Sequence, residues 1–224
     1  MFGRSCRRGV LGGLLGLGIG FSTATAGTIP ILSDLLFESN NITGANVILV
    51  NIYADPVWKA PTIGGNWISY AQTGYGGVIA PDTTLTGNTI TGPPTAVFTE
   101  TFTIPVGQIS IASSSVSFWA DDTAAIYLDS NPIPLIGLAP VARDTWCLAA
   151  AISCQPIRGA SVDLSGLGAG THTLTIQAYQ IFDNTFGVLY EGNVITADLP
   201  EPGTFTLLPF GATILALLRR RSRA

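Results

Sequence analysis

The sequence predicts an all-β protein built from antiparallel strands, and three observations carry that prediction. Thr, Val, Ile, Ser and Gly dominate the middle of the chain, whereas Lys, Glu, Gln and Met are scarce there. That composition suits strands and tight turns better than helices. Segments of strand character recur, each bounded by Gly, Pro, Asn or Asp. No helical apolar period intervenes, which argues for a sandwich or a barrel rather than βαβ units.

The elements follow in chain order. Ala45 to Ala54 (ANVILVNIYA) is a continuous apolar, β-branched run, and Asn66 to Ala71 follows the pair Gly64-Gly65. Ala96 to Ile104 (AVFTETFTI) alternates, with Val97, Thr99, Thr101 and Thr103 on one side and Phe98, Glu100, Phe102 and Ile104 on the other. Ser113 to Ala120 and Ala124 to Asp129 are separated only by Asp121-Asp122-Thr123, which reads as a hairpin. Ala160 to Ser165 precedes the glycine-rich stretch GLGAG. Thr171 to Phe182 is the longest alternating stretch, and Phe186 to Ile195 closes the set. An antiparallel sandwich explains the alternation, because one face of each strand packs on the opposite sheet and the other meets water. The four tryptophans (Trp58, Trp67, Trp119, Trp146) fall in or beside these segments, so packing at the core or its rim is expected of them.

Charge and residue types exclude several function classes. Between Gly27 and Leu199 the chain has three basic residues (Lys59, Arg143, Arg158) and thirteen acidic ones, a net charge of −10. Such a body repels phosphate backbones, so no nucleic-acid partner is expected. His172 is the one histidine, at the start of a strand, where a cross-strand structural role is the default. No GxSxG, HExxH or phosphate-cradling loop occurs, so the chain is read as no enzyme. Cys147 and Cys154 close the short loop CLAAAISC, and export would favour a disulfide between them.

The two ends differ from this body. Arg4, Arg7 and Arg8 precede the apolar stretch Val10 to Phe21, and Ala24-Thr25-Ala26 is a small-residue cleavage pattern. Residues 1–26 therefore read as a signal peptide cut after Ala26. The tail is apolar from Gly203 to Leu218, 16 residues that span about 24 Å as a helix, short of a ~30 Å hydrocarbon core. Arg219, Arg220, Arg221 and Arg223 follow it and would stay in the cytoplasm. The expectation is a short transmembrane helix, 203–218, behind an ectodomain of residues 27–198.

Pro200-Glu201-Pro202, the apolar helix and the arginine cluster, in that order, resemble the PEP-CTERM sorting signal of Gram-negative bacteria. The resemblance covers residues 199–224. It implies recognition by an exosortase-type sorting enzyme, anchoring in the inner membrane before sorting, and delivery to the cell surface or extracellular matrix. It also implies association with extracellular polysaccharide.

A second resemblance covers most of the middle. Trp67 to Gly74, Phe118 to Asp129 and Gly168 to Val194 are similar to segments of other PEP-CTERM exported proteins. They also resemble jelly-roll carbohydrate-binding modules, except that Ser130-Asn131 stands where the turn glycine of those modules is expected. The fold expected is thus a jelly-roll-like antiparallel β-sandwich. The role expected is structural or adhesive, without a cofactor. The alternative is a carbohydrate-binding module using Trp119 or Tyr127 as a stacking platform. In calcium-dependent form it would hold the ion at Asp121, Asp122 and Asp129, with Asn131 nearby. The competing reading of those aspartates is an ordinary turn.

Overall fold

A computed structural model describes residues 26–36, 38–44, 46–52, 58–132, 134–138, 152–181 and 185–199. Thirteen strands are described: β1 (Gly27–Leu32), β2 (Glu38–Asn40), β3 (Ile48–Leu49), β4 (Ile68–Ser69), β5 (Leu85–Thr86), β6 (Thr89–Ile90), β7 (Ala96–Ile104), β8 (Gln108–Ser110), β9 (Ser115–Asp121), β10 (Thr123–Leu128), β11 (Ala160–Asp163), β12 (Gly170–Tyr179) and β13 (Gly187–Asp198). The described helical structure is one 3₁₀ turn, Pro156–Arg158. Every strand pair is antiparallel. Among the described residues no helix is long and apolar enough to cross a membrane. The expected signal peptide with Ala24, the helix 203–218, and the sorting residues Pro200, Glu201, Pro202, Arg219, Arg220 and Arg221 lie outside the described residues. Ala26 is the first residue described.

Two sheets hold the fold. The first is ordered around β13, whose twelve residues bond β9 and then β8 along one edge. Its other edge bonds β4 and then β1. β11 extends the sheet beyond β9, and β3 extends it beyond β4. The second sheet runs β10-β12-β7-β2, and an isolated bridge from Ile136 to Ile126 continues it past β10. β5 and β6 form a separate hairpin. From β7 onward the chain alternates between sheets: β8 and β9 lie in the first, β10 in the second, β11 in the first, β12 in the second, β13 in the first.

Alternation along the strands builds the core between the sheets. Phe98, Phe102, Leu174 and Ile176 come from the second sheet and Val116, Phe118, Val188 and Tyr190 from the first, all buried in one cluster. The Phe118 and Tyr190 rings sit 5.6 Å apart, and Phe98 meets Phe186 at 6.4 Å. Each such side chain stabilises the fold by about 1.5–3 kcal/mol through burial.

Two expectations are corrected here. β9 and β10 are not a hairpin. Val116, Phe118 and Ala120 on β9 and Ala124 and Ile126 on β10 face the same core from opposite sheets, so Asp121-Asp122 is a corner between layers. Among the described residues of the run Ala45 to Ala54, only Ile48–Leu49 pairs as strand, and both side chains are exposed.

Candidate ligand groove

The first sheet has an outer face with two distinct halves. On β9, Val116, Phe118 and Ala120 point into the core, which leaves Ser115, Ser117 and Trp119 on the outside. On β13, Val188, Tyr190 and Val194 point inward, which leaves Leu189, Glu191 and Asn193 on the outside. The register pairs Leu189 with Trp119, Glu191 with Ser117, and Asn193 with Ser115.

The half around Leu189 and Trp119 is roofed by a second small core of Val50, Trp58, Trp67 and Cys154. Trp58 and Trp67 pack with centroids 4.1 Å apart. The Trp67 indole donates to the Lys59 carbonyl at 2.8 Å, and the Lys59 amide donates to the Cys154 carbonyl at 2.8 Å. These bonds fix the segment that roofs Trp119. Three of the four expected tryptophans thus pack as a core, and Trp146 lies outside the described residues.

Past Trp119 the roof stops and a groove of about 300 Å³ opens over Ser117, Ser115 and Ser113. Thr62 and Ile63 form one wall, and Glu191, Asn193 and Ile195 line the β13 side. Thr62 and Ile63 are held by the Glu191 carboxylate. It accepts the Thr62 amide at 2.9 Å, the Ile63 amide at 3.0 Å and the Thr62 hydroxyl, and it pairs with the Lys59 ammonium at 3.5 Å. Burial pushes the Glu191 carboxyl up, but these bonds and the Lys59 charge outweigh it and hold the group below the usual carboxylate range. Lys59 in turn lies 5.0 Å over the Trp119 ring. Glu191 therefore acts as a latch for the wall.

Of the two aromatic candidates, Trp119 lines the groove but is only 8% exposed, so it closes one end rather than offering a stacking face. Tyr127 is half-buried on β10 in the other sheet, opposite Thr175.

The three aspartates expected to share a cation do not meet. Asp121 and Asp122 sit at the corner between layers, and the peptide bond joining them is cis. Both are buried. Asp121 Oδ2 accepts the Trp58 indole at 3.0 Å and the Thr185 hydroxyl at 2.8 Å, and Asp122 Oδ2 accepts the Ile181 amide at 2.6 Å. Asp129 lies past the far end of β10, about 20 Å away at ~3.3 Å per residue. There it accepts the Thr173 amide at 2.9 Å and pairs with His172 Nδ1 at 2.7 Å. Asn131 is in the same turn, where its amide donates to Leu128 O at 3.0 Å. Among the described residues no three His, Cys, Asp or Glu side chains converge as a metal-ligand group. Cys154 is fully buried, and Cys147 lies outside the described residues.

Sequence reasoning missed Ser115, Ser117, Glu191 and Asn193 as a group. The alternation Ser-Val-Ser-Phe-Trp was visible, but which face looked outward, and which strand lay beside it, depended on long-range pairing. No protein-family model, no curated protein and no solved structure matches the chain.

Proposed function

We propose that the chain is an exported, non-enzymatic protein of a Gram-negative bacterium, carried out by its leader and sorted to the cell surface by its PEP-type tail. Its role is structural or adhesive, in association with extracellular polysaccharide. The observation that carries this reading is the order of parts in the sequence: a basic, apolar leader ending in Ala24-Thr25-Ala26, an acidic body, then Pro200-Glu201-Pro202, an apolar run and four arginines. An all-β body with a net charge of −10 between Gly27 and Leu199 suits a soluble ectodomain. Its partner in sorting is an exosortase-type enzyme, and the inner membrane holds it through residues 203–218 before release. The body is a jelly-roll. The strand orders β11-β9-β13-β4-β3, with β1 also on β13, and β10-β12-β7-β2, with the chain switching sheets at each step from β9 to β13, support that assignment.

Mass spectrometry of the native protein from fractionated cells tests the reading. A mature chain beginning at Gly27, ending near Pro200 and found in envelope or medium is expected. The same digest, run without reductant, is expected to contain the Cys147–Cys154 linked peptide. Recovery of the full 224-residue chain from the soluble cytosol, with free thiols, overturns it.

A second reading, a carbohydrate-binding module, is favoured by one observation: the polar groove beside Trp119 on the outer face of the first sheet. Calcium enters that reading through Asp121 and Asp122. Calorimetric titration of calcium into the native protein and into the Asp121→Asn/Asp122→Asn variant separates a cation site from a corner held by hydrogen bonds alone.

A further inference from the structure

We infer that the groove over β9 and β13 binds an uncharged polysaccharide, a neutral hexose polymer lying along the strands, and rejects acidic polymers. This deepens the extracellular-polysaccharide reading and rests on it. Three features of the groove carry the inference.

The first is shape. The groove follows the strand direction from Trp119, where the small aromatic core walls it off, to Ser113 at its other end. A volume of about 300 Å³ is at the small end of ligand sites. It suits a segment of roughly one or two sugar rings rather than a folded partner.

The second is the pattern of polar groups. Ser115 and Ser117 are two residues apart on one strand, so their hydroxyls recur at about 6.7 Å, and the neighbouring strand lies about 4.8 Å away. Asn193 faces Ser115 across that gap, and Glu191 faces Ser117. Hydroxyls and an amide each donate and accept, which is what a polyol needs from its site. Among the described residues the side chains of Ser115, Ser117 and Asn193 have no hydrogen-bond partner, so these groups are left to the groove.

The third is charge. Among the described residues Glu191 is the one charged residue lining the groove, and its carboxylate is already engaged by Thr62, Ile63 and Lys59. Lys59 is spent in the same pair and over Trp119, so the described lining offers no cation to a carboxylate or sulfate on the ligand. The body from Gly27 to Leu199 carries a net charge of −10, and a polyanion approaching it is repelled. A neutral chain meets neither penalty.

Affinity electrophoresis of the mature protein in native gels tests this, with dextran, laminarin or galactomannan in one set and polygalacturonate in another. Retardation by at least one neutral polymer and none by polygalacturonate is expected. Ser117→Trp, which fills the groove, should weaken binding roughly tenfold or more, and Asn193→Ala several-fold. Thr101→Trp, on the outer face of the second sheet, should leave binding unchanged. Thermal melts establish that each variant is folded, and the Asn193→Ala result stands if Ser117→Trp does not fold. Retardation by polygalacturonate, no retardation by any neutral polymer, or full binding by folded Ser117→Trp or Asn193→Ala overturns the proposal. Cell fractionation separates this failure from that of the broader reading. A Ser117→Trp protein still held in surface polysaccharide overturns the groove alone, whereas cytosolic wild-type protein overturns the surface assignment.

Discussion

Tyr190 Oη lies 2.5 Å from Glu100 Oε2 in the interior of the sandwich, and neither residue is more than 2% exposed. The same phenol lies 3.0 Å from Glu38 Oε1, which also accepts the Asp34 amide. A phenol has one proton, so it cannot donate to two carboxylates at once. Burial raises the Glu100 carboxyl, the Tyr190 bond lowers it, and the Glu38 and Asp34 charges raise it again, to about 8. Glu100 is therefore protonated at neutral pH. A protonated Glu100 can donate to Tyr190 Oη and leave the tyrosine proton for Glu38, whereas an ionised Glu100 accepts the phenol. Burial and the two glutamates also push the Tyr190 phenol well above its ordinary range, so it stays a donor throughout.

This network predicts a pH dependence with a definite sign. The folded state keeps a proton on Glu100 that the unfolded chain releases above about 4.5. Stability should fall as pH rises from about 4.5 to about 8 and level off beyond. The full loss is about 3–5 kcal/mol at most. Glu100→Gln, which stays neutral and can still donate, should flatten that slope. Thermal midpoints of the two proteins at pH 5 to 9 check it, and parallel curves would rule the network out as the cause.

Asp129 and His172 predict a second, weaker dependence. His172 Nδ1 faces Asp129 Oδ2 at 2.7 Å and Nε2 faces the Gly168 carbonyl at 2.9 Å, so both nitrogens meet acceptors and the imidazolium satisfies both. Burial lowers the His172 pKa, but the Gly168 carbonyl and Asp129 outweigh it and raise it above 6.5. The contribution is fully present below pH 6.5 and is lost as pH rises through the folded value. The Asp129 side chain is 44% exposed, so the pair is worth less than about 1 kcal/mol. An NMR titration of this lone histidine should give a pKa above 6.5 in the native protein and a lower one in Asp129→Asn.

How much of this was legible in the sequence differs from strand to strand. β7 is found at its full length, Ala96–Ile104, because its apolar and polar sets alternate without interruption. β1 went unseen because Pro30 interrupts it; the structure tolerates Pro30 at an edge, since among the described strands β1 pairs only with β13. The supposed hairpin at Asp121-Asp122 failed for a related reason. A short polar link between two strands fits a hairpin or a corner equally well, and the choice rests on which sheet offers each strand a partner. Asp129 was grouped with the wrong residues because its partner, His172, reaches it only through the β10–β12 register. The turn after β10 takes positive φ at Asp129 (53°) and Ser130 (58°) without the glycine that such geometry favours. The groove depends on pairing β9 with β13, which nothing local in either strand announces.

Trp58 and Asp121 predict a coupled loss of stability. Trp58 Nε1 donates to Asp121 Oδ2 at 3.0 Å, and both residues are buried. Trp58→Phe keeps most of the apolar contact with Trp67 but removes the donor, which should cost about 1–3 kcal/mol. In an Asp121→Asn background the same change should cost less, because the group that loses the indole, and keeps the Thr185 hydroxyl, is then neutral. A double-mutant cycle by chemical denaturation measures the coupling. Strict additivity would mean that the indole contributes by packing alone.

Gly192 predicts a large loss of stability, and it ties the strand pairing to the groove. A Cβ at this position would lie 2.1 Å from the Ser115 carbonyl oxygen and 2.5 Å from Val116 Cα, so the obstacle is β9 backbone, which cannot move aside alone. Gly192→Ala should force β13 away from β9 and cost about 3 kcal/mol or more. Gly166 is the control: its φ of +81° disfavours a side chain, but no atom lies within 4 Å of its Cβ position. Gly166→Ala should therefore cost only about 1–2 kcal/mol, the penalty of left-handed backbone. Denaturation midpoints give both numbers. The ranking also reaches the binding experiment, because Ser115 and Asn193 meet across the pair of strands that Gly192 lets close. A folded Gly192→Ala protein should lose affinity for neutral polymer, and Gly166→Ala should retain it. Equal stability losses in the two variants would mean that the close approach of β9 and β13 is not what the glycine provides.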